Sequence, residues 1–180
     1  MKLVILDRDG VINVDSDKYI KSPAEWQPIP GSIEAIARLH QGGFRVVVAT
    51  NQSGIGRGLF DMATFNAMND KMMEMVFRQG GRIDALFFCP HTDAENCSCR
   101  KPRTGMFEEI AARYHMELKG VPCVGDAIRD LQAAEAVGGQ PILVLTGKGR
   151  QTKGDDWLPR RTLVFADLAE VSRHLVAAGE

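Results

Sequence analysis

The chain has 180 residues, of which 44% are hydrophobic and 25% charged, and its formal net charge is -1. This composition excludes intrinsic disorder, and the balanced charge gives no general attraction to nucleic acid or to an anionic membrane. No apolar run approaches the roughly 18 residues of a membrane span, and the first residues lack the longer apolar stretch of a secretory signal. We therefore expect one cytoplasmic domain over residues 1–180, monomeric, with no nucleic-acid or membrane partner.

Short apolar runs alternate with amphipathic stretches along the chain. The runs predict strands, and the stretches with helical spacing predict helices. In chain order we predict a strand over 3–6, a helix over 33–39, a strand over 46–49, a helix over 61–77, a strand over 85–88, a helix over 106–116, a strand over 121–124, a helix over 128–137, strands over 142–145 and 163–165, and a helix over 168–177. Segments 18–30 and 90–105 are predicted to be irregular, and 53–58 a loop. Continuous apolar strands separated by helices indicate an α/β fold, with a doubly wound, mostly parallel sheet and helices on both faces.

Reactive side chains follow four of the predicted strands. Asp7 and Asp9 come after the first strand, Thr50 ends the second, the third leads to Lys101, and Asp126 follows the fourth. Functional groups of open α/β sheets gather beyond the carboxyl ends of the strands. The sequence therefore predicts carboxylates, a hydroxyl and a lysine at one edge of the sheet.

These residue types suit phosphoryl transfer. Two close carboxylates repel each other, and a divalent cation relieves that repulsion, so Asp7 and Asp126 are candidate Mg²⁺ ligands. A carboxylate can also attack phosphorus and form an aspartyl phosphate. A hydroxyl at Thr50 and an ammonium at Lys101 suit the negative charge of the transferring phosphoryl group. Taken alone, the Asp7-x-Asp9 pair is equally compatible with a solvated strand end.

Four motifs in this order resemble the haloacid dehalogenase superfamily of phosphohydrolases: D-x-D-G-V at 7–11, T-N-Q-S-G at 50–54, the lysine at 101 and G-D-x-x-x-D at 125–130. The resemblance implies that Asp7 is the nucleophile and that Asp9 is the general acid and base. It also implies a Mg²⁺ site formed by Asp7, the backbone carbonyl of Asp9 and Asp126, with Asp130 in support. Neither 10–49 nor 50–101 has room for a large cap domain.

A second metal site is predicted between the third strand and Lys101. Cys89, His91, Cys97 and Cys99 form a set of type Cys3His in one short loop at 89–99. Such a set is typical of closed, structural Zn²⁺ sites, and this ion would fix the position of the lysine. A disulfide is the alternative, but it would leave an odd thiol.

Within the superfamily, the C-x-H…C-x-C loop before R-K-P and N-Q-S-G-I-G-R-G at 51–58 resemble the D-glycero-D-manno-heptose 1,7-bisphosphate 7-phosphatase family. This implies a sugar phosphate substrate that loses its C7 phosphate during heptose synthesis for lipopolysaccharide. Histidinol-phosphate phosphatase is the alternative, and a phosphoacceptor signalling module is the alternative from another class.

The candidate substrate-binding residues lie in the loops around the predicted site. They are Asp15, Lys18, Asn51, Gln52, Ser53, Arg57, Arg100 and Arg103. For the phosphate that does not react, Arg100 is the first candidate. Ala127 departs from the heptose enzymes, many of which carry a lysine there, and Arg129 is a candidate to replace that cation.

Overall fold

The computed structural model describes residues 1–179. Its strands are β1 (Lys2–Leu6), β2 (Phe44–Asn51), β3 (Ala85–Cys89), β4 (Pro122–Gly125), β5 (Gln140–Val144) and β6 (Leu163–Phe165). Its helices are α1 (Ser32–Gln41), α2 (Ser53–Gly56), α3 (Met62–Arg78), α4 (Gly105–Tyr114), α5 (Ile128–Ala136), α6 (Gly149–Thr152) and α7 (Leu168–Ala178), with a 3₁₀ turn at Asp93–Glu95. No helix within 1–179 combines the length and the hydrophobicity that crossing a membrane requires.

All these strands pair in parallel in a single sheet, with the order β3-β2-β1-β4-β5-β6. Leu6 at the end of β1 is level with Val48 in β2 and with Val124 in β4. The order of the strands reverses between β1 and β4, and ligands of such sheets bind at that point, beyond the carboxyl ends. The register therefore brings the residues that follow β1, β2 and β4 to one place.

Successive residues of β1 and β2 pack on opposite faces of the sheet, so both faces are apolar. Val4 and Leu6 pack with α1, α3 and α7, whereas Leu3 and Ile5 pack with α4 and α5. Helices on both faces confirm the predicted doubly wound α/β fold. The helix-forming stretch with repeated methionines, α3, contributes buried Met68 to this core.

The predicted elements are all present, and their ends differ from the prediction by at most two residues. The prediction that 53–58 is a loop was wrong, because residues 53–56 form α2. A four-residue helix is too short to show a periodic pattern, and tertiary contacts hold this one: the backbone N–H of Gln52 donates to Cys89 and that of Gly56 to Pro90, at 2.7 and 2.9 Å. In the described chain only α1 and its preceding loop separate β1 from β2, and α2 and α3 separate β2 from β3, so no large cap is present.

Candidate active site

The carboxyl edge of the sheet holds a buried ion pair between the first and third predicted motifs. Asp7 directly follows β1, and its backbone N–H donates to Val124 in β4 at 2.9 Å. The Nζ of Lys101 lies 3.0 Å from Asp7 Oδ1 and 2.7 Å from Asp130 Oδ1, and it donates to the carbonyl of Ala49 at 2.8 Å. Only 2% of Lys101 is exposed. The lysine is therefore fixed against the carboxylate predicted to react.

Asn51, at the end of β2, positions the backbone of Lys101. Its Nδ2 donates to the carbonyl of Lys101 at 3.1 Å, and its Oδ1 accepts from the N–H of Lys101 at 3.0 Å. This pair of bonds joins the loop after β3 to the neighbouring strand. Thr50, one residue earlier, is buried, and its hydroxyl accepts from the Nε2 of Gln52 at 2.9 Å.

Three buried carboxylates converge beside the lysine, and their oxygens lie within 4.8 Å of one another: Asp7, Asp126 and Asp130. Burial and the charge of Asp130 raise the pKa of Asp7 to about 6, and burial with Asp130 and Asp7 raises that of Asp126 to about 8. Burial also raises the pKa of Asp130, but the positive charges of Lys101 and Arg129 outweigh burial, so the pKa falls below its usual value. Asp130 is thus neutralised by the protein itself, whereas Asp7 and Asp126 lack sufficient positive charge. Oxygen donors with unbalanced negative charge fit a hard divalent cation such as Mg²⁺.

Two glycines make room for Asp126. Gly10 has a φ of +87° and Gly147 a φ of +54°, and a Cβ at either position would collide with the carboxylate of Asp126. The Thr146 hydroxyl joins the two turns by donating to the carbonyl of Gly10 at 2.7 Å. The backbone N–H of Lys148 donates to Asp126 Oδ2 at 2.8 Å, which fixes the orientation of the carboxylate.

Asp9 is held by a network that the sequence did not reveal. The fully buried Arg8 donates through Nε to Asp9 Oδ1 at 3.0 Å and through Nη1 to Asn69 Oδ1 at 3.1 Å. Asn13 donates to Asp9 Oδ1 at 2.8 Å, and Gln52 to Oδ2 at 2.9 Å. In the sequence, an arginine between two aspartates looks like an exposed charged residue. Only the structure shows that Arg8 is buried against α3 and orients Asp9.

A cavity of about 180 Å³ opens above these groups. Of the residues predicted from the sequence, it is lined by Asp7, Asp9, Asp15, Thr50, Asn51, Gln52, Ser53, Arg100 and Arg129. The other lining residues are Ser16 and Asp17, which lie between the candidates Asp15 and Lys18, and Tyr19, Ile20 and Lys148, which the sequence did not indicate. The first four belong to an irregular loop without a periodic pattern, and Lys148 reaches it with Nζ 3.8 Å from Asp15 Oδ2.

Three of the predicted substrate-binding residues, Lys18, Arg57 and Arg103, do not line this cavity. The guanidinium of Arg57 lies over the ring of Tyr19, 5.9 Å from its centre. Arg103 donates to the carbonyl of Cys97 and to the side chain of Asn96. Its side chain therefore braces the cysteine loop.

The predicted zinc ligands form a compact cluster next to the site. Cys89 Sγ lies 3.1 Å from Cys99 Sγ and 3.6 Å from Cys97 Sγ, and His91 Nδ1 lies 3.3 Å from Cys99 Sγ. Burial raises the pKa of the Cys89 and Cys99 thiols, whereas backbone and thiol donors outweigh burial at Cys97 and lower its pKa to about 6. A thiolate is the form that binds a metal, and three sulfurs with one imidazole nitrogen suit tetrahedral Zn²⁺.

Comparisons with known proteins agree with this geometry. A family model described as HAD-hydrolase-like matches residues 98–171. A D-glycero-β-D-manno-heptose-1,7-bisphosphate 7-phosphatase of Bordetella bronchiseptica is 56% identical over 176 residues, which are 98% of both chains. One of Pseudomonas aeruginosa is 55% identical over 174 residues, 97% of both chains. The chain belongs to this heptose bisphosphatase family.

Solved structures of the heptose bisphosphatase family show the same fold. The B. bronchiseptica enzyme, crystallised with magnesium and phosphate, superposes with a TM-score of 0.97 at 55% identity, covering 99% of both chains. The Burkholderia thailandensis enzyme gives a TM-score of 0.78 at 50% identity, covering 98% of this chain and 99% of its own. Membership in this family confirms that the protein is a phosphoric monoester hydrolase, and it removes the alternative of a signalling module.

Proposed function

We propose that the protein hydrolyses the C7 phosphate of D-glycero-β-D-manno-heptose 1,7-bisphosphate in a Mg²⁺-dependent reaction. The observation that carries the chemistry is the convergence of Asp7, Lys101, Thr50 and Asp126 at one buried edge. The substrate and the β anomer come from the activity for which the relatives are named. In this proposal the product keeps its C1 phosphate and enters heptose synthesis for lipopolysaccharide.

Asp7 is the proposed nucleophile. One of its carboxylate oxygens forms a bond to phosphorus while the bond from phosphorus to the C7 oxygen breaks. Asp9 gives its proton to the departing alkoxide, and then removes a proton from the water that attacks the aspartyl phosphate. This second step releases inorganic phosphate and restores both carboxyl groups. Lys101 and the Thr50 hydroxyl stabilise the charge that develops on the phosphoryl oxygens.

The carboxylates of Asp7 and Asp126 and the backbone carbonyl of Asp9 would hold the Mg²⁺. A bound Mg²⁺ supplies positive charge that polarises the phosphoryl group and offsets the two carboxylates. Asp130 acts through Lys101 and through the backbone N–H of Ala127, which donates to it at 3.0 Å.

We also propose a structural Zn²⁺ held by Cys89, His91, Cys97 and Cys99. The four ligand atoms lie within 4.8 Å of one another, close enough for a single ion. Asp15, Gln52, Ser53 and Arg100 are proposed to contact the sugar phosphate. The protein is further proposed to act as a monomeric, single-domain enzyme in the cytoplasm.

The function is tested by phosphate release from three substrates under the same conditions with Mg²⁺: the β-1,7-bisphosphate, its α anomer and histidinol phosphate. We expect the highest kcat/KM for the β anomer, and loss of only the C7 phosphorus resonance in the ³¹P spectrum. Asp7→Asn should be inactive, and Asp156→Asn, an exposed carboxylate on the same protein, is the control. A clear preference for histidinol phosphate would overturn the proposal.

A further inference from the structure

Three cations line the active-site cavity, and two of them are already paired. Arg100 forms an ion pair with Asp93. Lys148 has its Nζ 3.8 Å from Asp15 Oδ2. The third cation is Arg129, the second residue of α5.

Within the described residues, Arg129 is the one of these three cations that forms no ion pair, although its charge offsets that of Asp130. Among residues 1–179, its buried Nε has no hydrogen-bond acceptor, and none of the ion pairs in that range involves its guanidinium. A buried donor without a partner costs free energy, which a ligand that accepts the hydrogen bond recovers. Burial lowers the pKa of Arg129, but the negative charges of Asp130 and Asp7 outweigh burial and raise it, so the guanidinium stays charged.

We infer that Arg129 binds the phosphate of the substrate that does not react. This inference rests on the proposed function, because only a bisphosphate brings a second phosphate into the cavity. The reacting phosphate already has Lys101 and Thr50 beside Asp7. A guanidinium offers paired N–H donors that match two phosphate oxygens, which makes Arg129 a better second site than Arg100, whose Nε is held by Asp93.

A different role for Arg129 makes a different prediction. Its charge also offsets that of the neighbouring carboxylates. If this were its only role, removing the charge would impair every phosphate ester equally, because each one reacts at the same carboxylate. A contact to the second phosphate instead affects bisphosphates alone.

The test compares heptose 1,7-bisphosphate with heptose 7-phosphate, which lacks the second phosphate. Arg129→Met removes the charge and keeps the length, Arg129→Lys keeps a charge without the paired donors, and Arg113→Met, at an exposed arginine of α4, is the matched control. We expect Arg129→Met to lower kcat/KM for the bisphosphate, mainly through KM, by about 10- to 100-fold more than it lowers kcat/KM for the monophosphate. Arg129→Lys should lie between wild type and Arg129→Met, and Arg113→Met should match wild type.

The possible outcomes separate the two proposals. An equal loss of kcat/KM on both substrates in Arg129→Met, or no loss on the bisphosphate, overturns the assignment of Arg129. The proposed function still stands in that case if the wild-type protein hydrolyses the bisphosphate. Failure of the wild-type protein to hydrolyse the bisphosphate overturns the proposed function itself. Thermal unfolding of each variant shows whether a loss reflects misfolding, and in that case Arg129→Lys decides between the outcomes.

Discussion

Arg8 shows how a residue with no motif of its own can serve the reaction. It is fully buried, its guanidinium lies over the ring of Phe65 at 5.6 Å, and it links Asp9 to Asn69 on α3. A buried charge is stable only with such partners. Arg8 therefore fixes the carboxyl group that we propose as general acid and base.

Replacing Arg8 by Met should weaken both the fold and the reaction. We expect the free energy of unfolding to fall by about 1–3 kcal/mol, because Asn69 and Asp9 lose a charged donor. We expect kcat to fall by about 10- to 100-fold for an alkyl phosphate and less for p-nitrophenyl phosphate, whose leaving group needs no proton. Steady-state kinetics on the two esters and chemical denaturation measure these effects. An equal loss on both esters would show that Arg8 does not act through Asp9.

The carboxylates at the metal site couple stability to pH. In metal-free protein the folded state keeps a proton on Asp126 up to about pH 8, whereas an unfolded chain loses it near pH 4. The folded state then binds more protons over that interval, so this group makes stability decrease as pH rises from about 4 to about 8. Asp7 acts in the same direction up to about pH 6.

Mg²⁺ should therefore stabilise the protein more at about pH 8 than at about pH 5, because it pairs with the ionised carboxylates. Thermal unfolding of zinc-loaded protein with and without Mg²⁺ at both pH values measures the difference. Asp126→Asn cannot ionise, so its increase in Tm with Mg²⁺ should be small at both values. An increase that is independent of pH in the wild type would contradict the assignment of Asp126.

Among single residues, the sequence was sufficient to place those at or just after the ends of strands. Asp7, Thr50 and Asp126 could be located because parallel strands end at one edge, whatever their separation along the chain. Arg8 and the orientation of Arg103 could not, because both depend on which neighbours a long side chain meets. Sequence spacing carries no information on that choice.

At the scale of elements, the loop at 89–99 joins two sites. Cys89 ends β3 and contributes to the cysteine cluster, and Lys101 follows the cluster by two residues. The side-chain amide of Asn51 then attaches the backbone of Lys101 to β2 by two hydrogen bonds. Because the loop contains few apolar residues, we propose that Zn²⁺ supplies the stability that keeps this connection in place.

Cys97→Ala should therefore lose the zinc, lower the Tm and reduce activity by about 100-fold through misplacement of Lys101. Zinc content by mass spectrometry, thermal unfolding and phosphate release measure the three effects. Cys123→Ala is the control, since this buried cysteine lies in β4 outside the cluster and its loss should leave the zinc content unchanged. Full activity in a demonstrably zinc-free Cys97→Ala protein would refute the connection.

The helices show where prediction from the pattern ends. The longer helices α1, α3, α4, α5 and α7 have a buried face that the sequence displays. The single-turn helices α2 and α6 have none, and long-range contacts such as the hydrogen bond from Thr152 Oγ1 to the carbonyl of Asp126 hold them, at 2.7 Å for this bond. The positions of α2 and α6 are therefore fixed by contacts that exist only in the folded protein.

At the scale of the whole molecule, the fold leaves the carboxyl edge of the sheet uncovered by any large cap within residues 1–179. The loop that follows Asp9 and the residues before α6 form the walls of the cavity instead. We therefore propose that substrate selection depends on a few charged side chains of these walls. Under the assignment that we infer for Arg129, this side chain contributes to a preference for a bisphosphate.

The central claim is that Asp7 forms the bond to phosphorus with Thr50, Lys101 and a Mg²⁺ around it. A crystal structure with Mg²⁺ and beryllium fluoride, an analogue of aspartyl phosphate, tests it most directly. We predict beryllium bonded to the Asp7 carboxylate, fluorines in contact with Thr50 Oγ1 and Lys101 Nζ, and Mg²⁺ on Asp126. Beryllium bonded to another side chain, with the carboxylate of Asp7 free, would contradict the account.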